Sequence, residues 1–459
     1  MGGYSRKILT IARLIDNGVT GPDRQRIIRG TVQSFLIQGI SVILVFVSNL
    51  WMVKSSSPDA YGLYVHVFNW VSILSIIVLG GQDDLVLAQL PRYMAGSQHS
   101  RLVRLVRAAN RWILAAALIV VSAFLALIFL LPIETLSEHQ PLFRIGMIAV
   151  YFTACLSLNQ LILQALNHIR LSQIVEKILK PLLLIGAIGL FRLAGGWNTA
   201  IPFNARTLVI LSTVVLGICC GGVLLLVGRN TKQYDLPATG IQPAEQLSGK
   251  TGYFFAISLL YLLSTRITML ILPYFMHQQK EIGIFNISYR FADLLIFPFF
   301  LMHTVLPQLF ARHAGTGKAY TQSLFSESNK LMTLLSLPLL LLNLLAGRYF
   351  LHWFGVEFVT GYTAMIYISL AQFLFSFFGP ANTILMMQDK EKYSAVCLLV
   401  YVLVLLAFSR LLIPSGGITG GALAILLSSA VYHLLLAVVT YRLTGIRSPF
   451  FSFLVKTRE

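Results

Sequence analysis

Apolar runs of roughly twenty residues alternate with short polar gaps from residue 31 to residue 440. A run of that length in helical form covers the roughly 30 Å of a bilayer's hydrocarbon layer. In order, the runs cover 31–53, 62–88, 109–131, 144–165, 174–194 and 205–227. After a longer polar stretch at 228–250 come 251–273, 282–305, 329–347, 361–385, 394–412 and 418–440. The pattern predicts an all-α polytopic membrane protein with twelve spans. Its parts are an N-terminal segment 1–30, a six-helix lobe 31–227, a linker 228–250, a second six-helix lobe 251–440 and a tail 441–459. The weakest apolar runs are the fourth, with Asn159, Gln160 and Gln164, and the fifth, which opens with Glu176, Lys177 and Lys180.

Charge sharpens this picture. The chain has 35 Lys and Arg against 17 Asp and Glu, a net charge of +18, yet only 11% of residues are charged; soluble domains carry about 25%. The basic residues favour every second gap. With the N-terminus placed in the cytoplasm, 26 of the 35 fall on the inside, 7 outside and two within spans. The positive-inside rule then supports an even number of spans with both termini cytoplasmic. Because the positive charge is spread over separate loops, it fits an anionic leaflet and not nucleic acid. Residues 1–30 are polar and basic, and the 23-residue run after them is too long for the core of a cleavable signal peptide. Residues 8–14 are compatible with a short interfacial helix or with disorder.

The halves share a motif. Tyr61-Gly62-Leu63-Tyr64 opens the second span and Ile282-Gly283-Ile284-Phe285 the eighth. Each comes after a short external loop with a lysine and an acid, and each span leads to a proline and an arginine-bearing loop. Such a parallel repeat suits two lobes that rock about a central cavity.

Polar groups inside spans are the candidate chemistry, since ionisable side chains in a membrane are costly. The first span carries Ser34, Gln38, Ser41 and Ser48 on one helical face, with Asn49 beside it. The seventh carries Ser258, Tyr261, Thr265 and Thr268, with Arg266 adjacent. Counting from the outer ends at 1.5 Å per residue puts Arg266 about 10 Å and Arg290 about 12 Å deep. Asp293 stands one helical turn beyond Arg290. Two guanidinium groups in a wet cavity would attract phosphate or carboxylate; pairing with Asp293, or snorkelling, would instead be structural. Asp83 and Asp84 are expected to end the second span, ahead of a basic face formed by Arg101, Arg104 and Arg107. Pro298, Pro338 and Pro380 are expected to kink their helices, with Asn382 just after the last break.

Enzyme signatures are missing. The sequence has no Walker glycine loop, no HExxH and no cysteine–histidine cluster. Cys155, Cys219, Cys220 and Cys397 lie in apolar runs, as packing residues. His66, His303 and His433 are isolated within spans.

Several stretches resemble a known family. They are SPDAYGLYVHVFNWVSILSIIVLG with LPRYMAG in the first half, EIGIFNISYRFADLL with LPQLFAR in the second, and LLAGRYFLHWFGVEFVTGYTAMIYISLAQFLFSFFGPANTILMMQDKEK at 344–392. In order and spacing, over about residues 26–440, these are similar to the Wzx-like lipid-linked oligosaccharide flippases of the multidrug/oligosaccharidyl-lipid/polysaccharide exporter superfamily. The resemblance implies a MATE-like fold of two six-helix lobes in the bacterial cytoplasmic (inner) membrane. It also implies alternating access, with an undecaprenyl-diphosphate-linked oligosaccharide carried to the periplasmic face for O-antigen, capsule or exopolysaccharide synthesis. No covalent chemistry or cofactor is expected, and membrane lipids and polysaccharide polymerase or glycosyltransferases are the partners in view.

On this reading Arg266, Arg290, Gln38, Asn49 and Asn382 line the substrate cavity, and Asp293 is the acid available for proton or Na⁺ coupling. Two rivals stand beside it: a cation-coupled multidrug exporter of the same superfamily and a non-transporting membrane scaffold. The exporter calls for an acid within the core of the first lobe, where the first span has none.

Overall fold

The computed structural model describes residues 22–96, 98–130, 139–166, 168–195, 203–232, 248–276, 278–299, 318–388 and 390–448, with side chains from residue 37 in the first helix and residue 258 in the seventh span. The described residues hold helices and no strand. Among the described residues, ten helices are long and apolar enough to cross a membrane. The last of them, Glu391–Thr444, contains two spans folded at Gly417 (φ 55°), and the run Ile169–Ile174, Val175–Leu179, Lys180–Gly195 supplies the fifth. Twelve crossings result. The expected N-terminal interfacial segment, most of the linker, Arg312, His303 and most of the tail lie outside the described residues.

Local chemistry explains where helices stop. The second span, Pro58–Leu79, starts with proline in its first turn, and the Ser57 hydroxyl accepts from the Ala60 amide at 3.1 Å. It ends nine residues earlier than its apolar run. Gly80 and Gly81 take left-handed conformations (φ 54° and 79°) and close the helix. Asp83 therefore belongs to a separate helix, Gln82–Ala95, and not to the second span. Pro338 sits inside an unbroken helix, Lys318–Phe354, whereas Gly379 (φ 77°) and Pro380 divide Tyr362–Phe378 from Ala381–Met387.

The eighth span changes form before its proline. The α-helix Gln279–Ala292 tightens to a 3-10 turn at Asp293–Ile296. Pro298 has no N–H, so the Leu295 carbonyl loses its i+3 partner. Hydroxyls replace it: Ser336 donates at 3.2 Å and Ser376 at 3.5 Å. One turn away, the Asn343 amide donates to the Phe291 carbonyl at 3.1 Å and to the Ser369 hydroxyl at 3.0 Å. The ninth and tenth spans thus satisfy the broken backbone of the eighth, as burial in an apolar medium requires.

The two halves meet most closely where the second span passes the eighth. A Cβ on Gly62 would sit 1.8 Å from the Gln279 carbonyl oxygen, and one on Gly283 would sit 3.0 Å from Tyr61 Cδ1 and 3.2 Å from the Gly62 nitrogen. The repeated motif is therefore a backbone-to-backbone crossing that only glycine permits. Beside it the Tyr61 hydroxyl donates to Asn49 Oδ1 at 2.7 Å and accepts from Asn286 Nδ2 at 2.9 Å. Tyr61, Asn286 and Asn49 are 0%, 4% and 7% exposed. Asp59 accepts from the Lys280 amide at 3.0 Å. Phe46 of the first span packs its ring 5.4 Å from Phe291 and 5.3 Å from Phe354.

Candidate substrate site between the two halves

The same two helices lead from this crossing into a polar region. Asn69 stands seven residues after Gly62, and Arg290 seven residues after Gly283. The repeat thus puts an amide and a guanidinium at equivalent positions, about 10 Å along each helix from the crossing. Asn69 is buried, and its Oδ1 accepts from Arg266 Nη1 at 3.4 Å. That bond joins the second span to the seventh. The Asn69 Nδ2 donor is buried with no protein partner among the described residues, so a donor is left for an acceptor beside the Arg266 guanidinium.

Arg290 is exposed. Its charge acts on Tyr61 and Tyr64 of the second span, Lys180 of the fifth, Arg266 of the seventh and Asp293 of its own. Arg290 thus lies near groups of both halves. Asp293 is not in salt-bridge contact with Arg290 among the described residues; its Oδ1 accepts from Gln372 Nε2 at 3.2 Å instead. Tyr261 and Tyr289 lie within the reach of the Asp293 charge. Arg290 and Asp293 thus lie within reach of each other's charge without a salt bridge among the described residues.

The first half contributes a cationic wall at the start of the fifth span, a position that apolar pattern alone would leave at the membrane edge. Lys177 lies within the π turn Val175–Leu179 and Lys180 directly after it. A π turn inserts one residue and rotates the helix beyond it, and such turns concentrate at functional sites. Lys177 donates to Gln38 Oε1 of the first span. Lys180 is partly buried, stands one turn after Glu176, and lies in the field of Arg290. The local signal was the three charges at the start of the fifth apolar run. The signal for Asn69 was its register with Arg290 in the repeat.

The sequence-predicted residues therefore separate into groups. Arg266, Arg290 and Asp293 come together. Gln38 joins them through Lys177, which stands one turn from Lys180. Asn49 is held in the crossing by Tyr61. Asn382 hydrogen-bonds Ser394 beyond the Gly379–Pro380 break. It lies ten residues after Gln372, the partner of Asp293, and across the Gly379–Pro380 break, so about 15 Å of chain separates Asn382 from the level of Asp293. His66 accepts from Trp70 at 3.3 Å and His433 stacks on Phe378. The four cysteines are buried and unbridged.

No family model matches the sequence, and no curated protein matches it. Solved structures match nearly the whole chain. One is the inward-facing conformation of a multidrug resistance MATE family transporter of the MOP superfamily, with a TM-score of 0.69 and 13% identity over 91% of this chain and 96% of that one. Another is the outward-facing conformation of such a transporter, at 0.66 and 14%, covering 91% and 95%. A third is a MOP superfamily transporter from Pyrococcus furiosus whose binding pocket is described as of reverse polarity, at 0.65 and 12%, also covering 91% and 95%. What this chain shares with them at such identity is the fold, an all-helical MATE-type membrane architecture.

Proposed function

We propose that this protein is an alternating-access flippase for an anionic, prenyl-diphosphate-linked oligosaccharide. The observation that carries the reading is that Arg266 and Lys180, from opposite halves, both lie within reach of the Arg290 charge, with Lys177 one turn from Lys180. Against these four cations stand two acids among the described residues, Asp293 and Glu176. Guanidinium and ammonium groups in a confined site favour phosphate oxygens, and two guanidiniums can hold a diphosphate in bidentate fashion. Asn69 Nδ2 offers a further donor. The headgroup and sugars would occupy the space between the lobes while the prenyl chain stays in lipid. The bacterial cytoplasmic membrane, with both termini inside, is the location that fits the loop charges, and Asp293 is the proposed site for proton or Na⁺ coupling. Glycosyltransferases and a polymerase would act before and after the step.

A second reading, export of organic cations, draws on Asp293 with Tyr261 and Tyr289 nearby, a set that suits a positive charge. Purified protein in liposomes separates the two. Translocation of a lipid-linked glycan that falls on Arg266→Ala or Arg290→Ala supports the flippase. Efflux of cationic dyes that survives those changes and is lost in Asp293→Asn would replace it. Wild-type surface glycan in cells carrying Arg266→Ala at matched protein level would also count against a substrate role for that residue.

A further inference from the structure

We infer that a polar seam inside the second half, between the eighth, ninth and tenth spans, is a water-lined proton route that joins Asp293 to the cytoplasmic face at the Gly379–Pro380 break. The inference rests on the proposed coupling role of Asp293 and not on the identity of the substrate.

The seam can be followed from one side chain to the next. Asp293 Oδ1 accepts from Gln372 Nε2 at 3.2 Å. One turn further along the tenth span is Ser376, whose hydroxyl accepts from Ser336 of the ninth at 2.8 Å. Thr333, one turn from Ser336, donates to the Ser376 carbonyl at 3.4 Å. One turn beyond Thr333 is Asn329, whose Oδ1 lies against the break: a Cβ on Gly379 would sit 2.8 Å from it. Asn329, Thr333, Ser336 and Asn343 share one face of their helix. Loop charge assigns the Asn329 end to the cytoplasm. There Asn382, three residues past Gly379, hydrogen-bonds Ser394, and Glu327 pairs with Lys330 at 2.9 Å on the exposed side of the ninth helix.

Two features exceed what packing needs. The Leu295 carbonyl freed by Pro298 takes Ser336 and Ser376, but neither Thr333 nor Asn329. Asn329 and Asn343 are 3% and 1% exposed, and the Oδ1 of each is buried with no protein partner among the described residues. A buried amide oxygen calls for a donor, and ordered water supplies one in such polar sites. The first half shows the closed alternative. Its third and fourth spans, which correspond to the ninth and tenth, bring Asn110 and Asn159 into a reciprocal pair. Each Nδ2 donates to the other's Oδ1, at 3.3 and 2.8 Å. The fourth helix, Gln140–Ala165, also runs unbroken. The second half instead leaves amide oxygens open and breaks its tenth helix at the inner end of the seam.

Hydroxyls both donate and accept, so serine and threonine joined by water can pass a proton while staying neutral themselves. The charged and titratable groups around Asp293 come from other directions: Arg290 and Tyr289 of its own span, Arg266 and Tyr261 of the seventh, with Tyr401 of the eleventh near Tyr289. A proton arriving through the seam would reach the Asp293 carboxylate without crossing the region of the two arginines. The acid could then be loaded while an anion occupies the site between the halves.

The test times protonation of Asp293 from each face. Purified protein is reconstituted in one orientation and acid is added to one side. The readout is the carboxylic C=O infrared band that Asp293→Asn removes. Asn329→Leu and Ser336→Val are expected to slow the response to cytoplasmic acid about tenfold or more, by closing the water sites, and to leave the response to outer acid unchanged. Ser336→Thr keeps the hydroxyl and should keep the parent rate. Unchanged cytoplasmic rates in the Leu and Val variants, or equal slowing from both faces, would overturn the route and leave Asp293 as the coupling acid. If Ser336→Val fails to fold because the Leu295 carbonyl loses a donor, Asn329→Leu decides, since it removes the open oxygen with little change in volume. A band that never titrates would remove the coupling role and the route together. A slowed cytoplasmic response in a protein that moves no lipid-linked glycan would uphold the route and count against the proposed substrate alone.

Discussion

The crossing and the polar site lie on the same two helices, about 10 Å apart, and they solve opposite problems. At the crossing the Tyr61 hydroxyl is fully partnered and two glycines bring backbone against backbone. Seven residues further along each helix, Asn69 keeps a donor without a partner among the described residues and Arg290 is exposed. The first region gains from fit and loses from added volume. The second gathers four cations against two acids among the described residues. One motif can therefore serve as both helix contact and site, because seven residues are close to two helical turns and keep both positions on one face.

The largest break in this comparison comes from removing charge. Arg266→Ala with Arg290→Ala should weaken binding of a lipid-linked glycan about a hundredfold or more, since each charge-assisted bond contributes about 1.5–3 kcal/mol. Detergent-solubilised thermal unfolding should barely move. Titration of binding alongside a melt checks both halves of that statement, and a collapse of the melt would recast the arginines as structural.

Volume at the crossing comes next. Gly62→Val should lower stability by about 1–3 kcal/mol through overpacking, seen as a reduced unfolding temperature. The same change at Gly39, where an added Cβ meets nothing within 4 Å, should not. A smaller loss is expected for Tyr61→Phe. It strands Asn49 Oδ1 and Asn286 Nδ2, and hydrogen bonds between membrane helices contribute about 0.6–2 kcal/mol each. If Tyr61→Phe leaves the melt unchanged, the two Tyr61 hydroxyl bonds are not stabilising.

Asn382→Ala is expected to do least. Its partner is Ser394, away from the arginines, so glycan affinity should stay within about twofold and stability should fall by about 1 kcal/mol at most. A tenfold loss of affinity would return Asn382 to the cavity and redraw the site.

Much of this arrangement is legible in the chain itself. Apolar runs mark spans because a helix must cross a hydrocarbon layer of known thickness. The count of twelve survives even where helix ends moved, as at Gly80–Gly81 and Asp293. Arg266, Arg290 and Asp293 are visible because charge inside an apolar run has a cost that demands a reason. The second span's early stop is not visible, since an apolar run continues through the two glycines and says nothing of φ. Nor can a hydrophobicity pattern separate Asn49, satisfied within the crossing, from Asn69, left with a free donor: both are single amides on apolar helices.

The crossings of a helical membrane protein, and the orientation its loop charge leads one to expect, are written in the order of residues alone. Local hydrophobicity and loop charge suffice for that, because each span is selected by lipid one segment at a time. It took the packed helices to show that the two glycine motifs meet each other, that Asn69 reaches Arg266, and that Lys177 and Lys180 belong with the arginines. Those facts depend on which helix face meets which. In a membrane a polar face can be satisfied by a neighbouring helix, by a backbone carbonyl or by an open cavity, and the sequence of one span does not distinguish them.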